Sequence, residues 1–285
     1  MKYRIRHSTT YTYTSPVFLE PHLIRLCPRS DPGQRLLSFG LTVSPQPTGL
    51  AHNIDADNNP FHLAWFDELT SEFRIESSYL VETLKTNPFD SFLTCGDRLP
   101  LQLTEGEQTV LAPYLDNSSL IGPGDEELIA SLCREVEVQG GGTVLSLLQT
   151  LNHYLYSRIE KILRLDQGVQ PVGTTLRTVR GACRDTTLVF MAACRVWGIP
   201  SRFVSGCQEG DPDQPEGELH AWPEVFLPGF GWKGYDPTLG LVVADRHIAY
   251  AASALPEQAA PVSGSFRGTG AAAIMAHQVE LAIEQ

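Results

Sequence analysis

One cysteine of the chain stands where a reactive thiolate would be expected. Cys183 lies two residues after a glycine and directly before the run 185–197, whose length and composition predict a helix that ends at Gly198. Asp185 or Thr186 can cap this helix. A cysteine at a helix N-terminus lies at the positive end of the helix dipole, which favours the thiolate, the nucleophilic form. The alternative is a buried structural cysteine, the usual fate of a free thiol.

A histidine and an aspartate lie symmetrically about a predicted turn further along the chain. His220 precedes Pro228 by eight residues, and Asp236 follows it by eight. In an antiparallel hairpin centred on this turn, the two residues would come level on neighbouring strands, with Cβ atoms about 4.5–5.5 Å apart if directly opposite. A slip of one residue would send them to opposite faces, so their contact depends on register.

These three residue types together predict nucleophilic catalysis on a carbonyl group. Cys183 attacks as thiolate, His220 takes the thiol proton and then protonates the leaving amine, and Asp236 fixes the histidine tautomer. Backbone N–H groups at the start of the cysteine helix are natural donors to the oxyanion. Water or an amine can resolve the thioacyl intermediate, so peptide hydrolysis, deamidation and glutamine cross-linking are all open. We favour hydrolysis of a peptide or protein amide, because water is always present and no amine-binding feature is visible.

Other assignments for the same residues are weaker. Asp185 is close to Cys183 in sequence, but its position favours a capping role. His247 is interpreted as a structural or substrate-side residue. A metal hydrolase using Cys183, His220 and His247 would contain zinc, yet the six cysteines form no Cys-x-x-Cys pair. We therefore predict neither a metal nor a cofactor, and the absence of a calcium-loop motif suggests no calcium requirement.

Composition limits the class of protein and its partners. The 285 residues are 42% hydrophobic and 19% charged, which is ordinary for a globular protein. The net charge of -12 argues against non-specific binding to nucleic acid or to an anionic membrane. The N-terminus shows no apolar segment typical of a signal peptide, and the scattered cysteines are typical of free thiols, so we expect a cytoplasmic protein.

The pattern of elements predicts an α+β protein of two domains. Residues 1–105 read as an antiparallel β-sandwich-like domain with short alternating strands and a linker from about residue 86. Residues 106–285 read as a catalytic core with a C-terminal tail, in which the cysteine helix packs on an antiparallel sheet bearing the histidine and the aspartate. The polar loop 208–217, directly before His220, is predicted to act as a lid.

Four segments around these residues carry a more specific signal. They are Gly181–Asp185, Trp197–Val204, His220–Val225 and Gly231–Thr238. Together, and in the order cysteine, histidine, aspartate, they resemble the core of the transglutaminase-like superfamily. This resemblance implies a papain-like core and the catalytic residues Cys183, His220 and Asp236.

The ends of the chain extend the resemblance over nearly its whole length. The opening segments His7–Val17 and Leu26–Arg29 and the closing segments Ala244–Ile248 and Ser265–Gly270 are similar to the bacterial branch of the superfamily. Members of that branch have a β-rich N-terminal domain and are commonly described as candidate cysteine proteases.

Two positions differ from the pattern of the bacterial branch. Arg184 stands where glutamine is frequent, and Gln170–Gly173 replaces aromatic and acidic residues. Folds of this kind can also serve as non-catalytic binding modules when the triad decays. An intact set of three residues favours an enzyme here.

Overall fold

The computed structural model describes residues 1–90, 92–94, 97–164, 168–210 and 218–284. Six strands come first, namely β1 (Lys2–Leu19), β2 (His22–Ile24), β3 (Gln34–Ser44), β4 (Gly49–Ile54), β5 (Pro60–Trp65) and β6 (Leu69–Thr83). The middle of the chain contains α1 (Glu105–Leu111), α2 (Glu126–Gln139), α3 (Val144–Arg158), β7 (Glu160–Lys161), α4 (Val172–Thr178), β8 (Arg180–Gly181) and α5 (Cys183–Val196). The last strands are β9 (Ser201–Gln208), β10 (Glu218–Leu227), β11 (Gly231–Asp236), β12 (Leu241–Val242), β13 (His247–Ser253), β14 (Val262–Ser263), β15 (Phe266–Arg267) and β16 (Ala273–Glu284).

The N-terminal strands form two antiparallel sheets that share one apolar core. One sheet has the order β15-β1-β6-β3 with β16 also paired to β1, and the other has the order β14-β2-β5-β4. Strand β1 alternates as predicted, with Tyr3, Ile5 and Val17 fully buried, and Ile24 and Leu26 join the same core from the second sheet. The period of two puts every second side chain on the inner face, so the α+β class with an N-terminal β-sandwich is confirmed.

The C-terminal residues differ from the prediction because they return to the N-terminal sheets. Strand β16 pairs with β1 along its whole length, from Lys2 opposite Glu284 to Tyr13 opposite Ala273. Strands β14 and β15 also pair with β2 and β1. Residues 262–284 therefore complete the β-sandwich, instead of trailing from the core as the predicted range 106–285 had them. The edge of β1 is a row of backbone donors and acceptors, and this pairing satisfies it.

The site rests on a third sheet, which has the order β12-β11-β10-β9-β13. Helices α2, α3, α4 and α5 pack with one face of it in a large apolar cluster that includes Phe190, Val225 and Tyr235. Residues of β9 and β13 also join the core of the β-sandwich, where the hydroxyls of Tyr79 and Tyr250 are hydrogen-bonded. The β-sandwich and this third sheet are thus packed together through buried side chains.

Helix α5 is the buried helix that the sequence predicted, but it begins two residues earlier. Cys183 is its first residue, and Asp185 lies in the first turn with its carboxylate accepting a hydrogen bond from the N–H of Ala182 at 2.9 Å. The helix ends where glycine permits a left-handed backbone, since Gly198 has φ 69°. Starting the helix at Cys183 leaves that residue's own N–H outside the helical hydrogen-bond pattern.

Candidate active site

The sulfur of Cys183 lies between a helix N-terminus and strand β10. The thiol is partly exposed and hydrogen-bonds His220 and the backbone N–H of Ala221. Burial acts to raise the pKa of this thiol, but the hydrogen bond and charge of His220 together with the Ala221 N–H lower it below its ordinary value. Two donors directed at one sulfur favour the thiolate.

The other described cysteines have the opposite character. Burial raises the pKa of Cys27 to about 11 and the pKa of both Cys133 and Cys207 to about 12. The thiol of Cys194 is fully buried, and burial raises its pKa well above the ordinary value. Among the five cysteines that the structure describes, Cys183 alone combines partial exposure with a lowered pKa.

His220 and Asp236 meet, although they are not level on their strands. In the β10–β11 hairpin Glu224 lies opposite Gly234, and the same register carried two residues further puts Asp236 opposite Trp222. The register is therefore shifted by two residues from the predicted one. A shift of two keeps both side chains on one face and makes them diagonal neighbours. The Nε2 atom of His220 lies 2.8 Å from Oδ2 of Asp236, which leaves Nδ1 to face the sulfur.

Asp236 is buried and accepts hydrogen bonds on both oxygens. Its Oδ1 accepts from the backbone N–H groups of Thr238 at 3.0 Å and Leu239 at 3.1 Å. Burial acts to raise the pKa of this carboxyl, but the charge and hydrogen bond of His220 and the hydrogen bond of His247 hold it well below its usual range. In return, Asp236 raises the pKa of His220 against the opposing effect of burial. The arrangement favours an imidazolium beside a thiolate.

His247 is a fourth member of this cluster, which the sequence analysis considered as a structural or substrate-side residue and, in the weaker metal-hydrolase alternative, as a zinc ligand. Its Nε2 lies 3.0 Å from Oδ2 of Asp236, the oxygen that His220 also uses. The three ligand-type atoms of His220, Asp236 and His247 lie within 4.8 Å of one another, a spacing that could hold a metal ion. Hydrogen bonds between N–H groups and a carboxylate account for this spacing, and Cys183 is not part of the group. The predicted absence of a metal stays a prediction.

The carboxylate of Asp185 holds the segment that precedes the cysteine. It is fully buried, forms an ion pair with Arg164 at 2.7 Å and accepts the backbone N–H of Gln170 at 2.7 Å. Arg184, the residue after Cys183, donates from Nε to the carbonyl of Gly168 at 2.6 Å. The two side chains therefore connect Arg164, Gly168 and Gln170 to the start of α5, and the capping interpretation of Asp185 agrees with the hydrogen bond that it accepts from Ala182.

Two family sequence profiles match the chain, one in the N-terminal β-sandwich and one in the part that contains the candidate site. The bacterial transglutaminase-like N-terminal region matches residues 3–82, and the transglutaminase-like superfamily matches residues 131–237, which include all three predicted catalytic residues. This chain belongs to the transglutaminase-like superfamily. The assignment supports an enzyme of the general cysteine-protease and transglutaminase type.

Similar proteins are known from several bacteria. The transglutaminase-like chain is 26% identical over 277 residues to an uncharacterised protein of Mycobacterium leprae, covering 94% of each. It is 25% identical over 261 residues to an uncharacterised protein of Mycobacterium tuberculosis, covering 87% of this chain and 82% of that one. A crystal structure of a candidate cysteine protease from Cytophaga hutchinsonii superposes with a TM-score of 0.71 at 20% identity, covering 99% of this chain and 90% of the other. At that identity the likeness shows the fold alone.

A tryptophan and a glycine complete the back of the site in this transglutaminase-like chain. The ring of Trp222 lies edge-on to His247, with centroids 5.2 Å apart, and 6.2 Å from His220. Gly206 lies opposite His220 on β9, and a Cβ there would stand 2.1 Å from the carbonyl oxygen of Ile248 and 2.5 Å from the Trp222 ring. Only glycine allows the two strands and the indole to approach so closely.

Two further predictions, the lid and the cytoplasmic location, are not tested by the described residues. Most of the predicted lid, residues 211–217, lies outside the described residues. Within the described ranges, none of the helices combines the length and the apolar character that crossing a bilayer would require. The cytoplasmic location stays a prediction.

Proposed function

We propose that this chain is a cysteine-dependent acyl-transfer enzyme that hydrolyses amide bonds in a peptide or protein substrate. Cys183 is the nucleophile, His220 the general base and acid, and Asp236 the residue that orients and charges His220. The observation that carries the proposal is the contrast among the cysteines. Cys183 hydrogen-bonds a histidine that is itself bonded to a buried carboxylate, and its thiol pKa is lowered where burial raises the pKa of the others.

The first half of the reaction forms a thioester. The thiolate of Cys183 attacks the substrate carbonyl, and the developing oxyanion lies near the N-terminus of α5, where the unused backbone N–H of Cys183 can donate to it. His220, held as imidazolium by Asp236, gives its proton to the leaving nitrogen as the C–N bond breaks. The products of this half are a free amine, neutral His220 and the acyl group on sulfur.

The second half regenerates the thiolate of Cys183 and the imidazolium of His220. Neutral His220 takes a proton from water, the hydroxyl oxygen attacks the thioester carbonyl, and the C–S bond breaks to release a carboxylic acid. The same step with an amine in place of water would yield a new amide. Hydrolysis is proposed because water needs no binding site of its own.

Cysteine-resolved alkylation tests the proposal without knowledge of the substrate. The native protein and a His220→Ala variant are treated with iodoacetamide from pH 5 to pH 10, and labelling is measured for each cysteine by mass spectrometry. We expect Cys183 to label fastest near pH 6 and to lose this advantage in the variant. Equal labelling of all cysteines at pH 6, or an inert Cys183, would contradict the proposal.

A substrate screen then separates the two outcomes of the thioester. Peptide amides and glutamine-containing peptides are incubated with the enzyme, with and without a primary amine such as cadaverine. Release of ammonia or of a new carboxylate without amine incorporation supports hydrolysis. Covalent incorporation of the amine in preference to water would replace hydrolysis with transamidation.

A further inference from the structure

The carboxylate of Asp236 has every acceptor position occupied. Oδ1 accepts two backbone N–H groups of the turn that follows it, those of Thr238 and Leu239. Oδ2 accepts the Nε2–H groups of His220 at 2.8 Å and His247 at 3.0 Å. A carboxylate offers about four lone-pair positions, so this group is saturated by its neighbours.

The chemistry of the acceptor determines which nitrogen of each histidine carries a proton. An ionised carboxylate can only accept, so both imidazoles must carry hydrogen on Nε2. The side chain of His247 is 3% exposed, and its Nδ1 has no hydrogen-bond partner in the described part of the chain. A proton on that Nδ1 would be buried without an acceptor, which is costly. The geometry therefore makes Nε2 the donor of His247, and Nδ1 is the nitrogen left without a partner.

Strand β13 brings His247 to this position from outside the hairpin that carries the other two residues. His247 is the first residue of β13 and lies opposite Gln208 of β9. Next to it, Arg246 forms an ion pair with Glu209, and the Arg246 carbonyl accepts the N–H of Glu209. The edge of Trp222 closes the other side of the ring. Strand pairing and packing against Trp222 thus fix the position of the His247 imidazole independently of its hydrogen bond to the carboxylate.

We propose that His247 is a positioning residue for the reaction, which holds the Oδ2 atom of Asp236 by a second hydrogen bond and divides the charge of that oxygen between two imidazoles. This inference rests on the proposed function of Cys183, His220 and Asp236. The groups that face His220 are Asp236 from β11 and Cys183 from α5, and those that face Asp236 are the two histidines.

Sharing the carboxylate has a direct consequence for proton transfer. His220 must hold a proton beside the thiolate and then release it to the leaving nitrogen. A carboxylate that serves one imidazole alone would bind the imidazolium more tightly and make it a weaker acid. The N–H of His247 interacts with part of the negative charge on Oδ2 of Asp236. His220 therefore stays basic enough to ionise the thiol and acidic enough to protonate an amine.

The test replaces His247 with one residue that cannot donate and one that can. Phenylalanine keeps a ring in the pocket but has no N–H, whereas the amide of glutamine can present a donor near the former Nε2. The cysteine-resolved iodoacetamide profile is measured for the wild type, His247→Phe and His247→Gln. Labelling of Cys183 reports two inflections, one for the thiol and a higher one at which His220 loses its proton.

We expect the upper inflection of His247→Phe to move to higher pH by about half a unit or more, which is about threefold in the equilibrium between imidazolium and imidazole. The lower inflection should stay within about 0.3 units, and His247→Gln should return the upper inflection to the wild-type position. An upper inflection that is unmoved, or that falls, in His247→Phe would overturn the proposal. Failure of the proposed function looks different, because Cys183 of the wild type itself would then show no advantage over the other cysteines.

Folding is controlled within the same experiment. Cys194 and Cys207 are fully buried, so they stay unlabelled in a folded variant. If His247→Phe does not fold, nitrogen-15 spectra of the wild-type imidazoles decide the question. The Nε2 atom of His247 should carry hydrogen and show a hydrogen bond to Asp236, and an Nε2 atom of His247 without hydrogen would refute the inference.

Discussion

Replacing Asp236 with asparagine removes the charge from a buried carboxylate that accepts four hydrogen bonds. The amide can accept with one atom only, so its NH₂ group must face either the two imidazole N–H groups or the two backbone N–H groups of the following turn. Hydrogen bonds to a charged group contribute roughly 1.5–3 kcal/mol each, and a buried N–H left without an acceptor costs roughly 1–3 kcal/mol. We therefore expect the free energy of unfolding to fall by about 3 kcal/mol or more.

The effect on the thiol follows from the same contacts. Asp236 raises the pKa of His220 through its charge and hydrogen bond. Removing roughly 1.5–3 kcal/mol of that interaction lowers the pKa of His220, which is about 10 in the wild type, by about one to two units. The upper inflection in the labelling of Cys183, at which His220 loses its proton, should then move to lower pH by about one to two units.

The pH of the measurement follows from the direction of each shift. The pKa of Asp236 is lowered, so its contribution to stability is present above its ordinary value of about 3.9 and is lost as the pH falls through the folded-state value. The pKa of His220 is raised, so its contribution is full below its ordinary value of about 6.5 and is lost as the pH rises through the folded-state value. Both contributions are full near pH 5.5, where urea unfolding of wild type and variant should differ most.

The assay pairs urea unfolding with alkylation of Cys183, and Asp245→Asn serves as the charge-matched control. The control removes a carboxylate from the loop before β13 and should change neither quantity. If Asp236→Asn loses stability but keeps the upper inflection of Cys183 labelling at the wild-type pH, Asp236 does not charge His220 and the proposed role of the carboxylate is wrong.

Three further predictions concern the surroundings of the site. Gly206→Ala should lower the free energy of unfolding, measured in urea titrations, by roughly 1–3 kcal/mol. The reason is that its Cβ would lie 2.1 Å from the Ile248 carbonyl oxygen. Unchanged stability would show that β9 and the Trp222 ring can separate there. Asp185→Asn should lower the free energy of unfolding by about 3–5 kcal/mol, because it removes the charge from the buried carboxylate that pairs with Arg164; a wild-type unfolding midpoint in urea would contradict this. Prolonged dialysis against a chelator should leave labelling of the nucleophile unchanged and elemental analysis should find less than about 0.1 zinc per chain, whereas stoichiometric zinc would favour a metal site.

Local sequence signals were enough to predict the secondary-structure elements next to Cys183. The glycine turn, the apolar run and the terminating Gly198 predicted helix α5 within two residues of its true start. The hairpin about Pro228 was also correct, and its register differs by two residues from the predicted one. Because side chains alternate with a period of two, that difference kept His220 and Asp236 on one face and changed only their offset.

The sequence alone did not predict which distant strands of the chain pair with each other. His247 reaches Asp236 because β13 pairs with β9 on the far side from β10, and no turn joins those two strands directly. The run Asp245–Ile248 drew attention to a second histidine, but only the sheet order shows which carboxylate it meets. Likewise, the sequence analysis treated residues 273–284 as part of a C-terminal tail, and only the pairing of β16 with β1 shows their place in the β-sandwich.

The return of β16 to β1 has a consequence for the synthesis of the protein. Strand β1 is synthesised well before the strand that covers its edge, because the paired residues Tyr13 and Ala273 lie 260 residues apart. At about 5–20 residues per second, that edge waits roughly 13–50 seconds for its partner. During this interval the helices and the third sheet can assemble, whereas the β-sandwich is incomplete. The uncovered edge of β1 can then pair with another nascent chain. Incomplete chains that expose the edge of β1 are therefore the species expected to aggregate during synthesis.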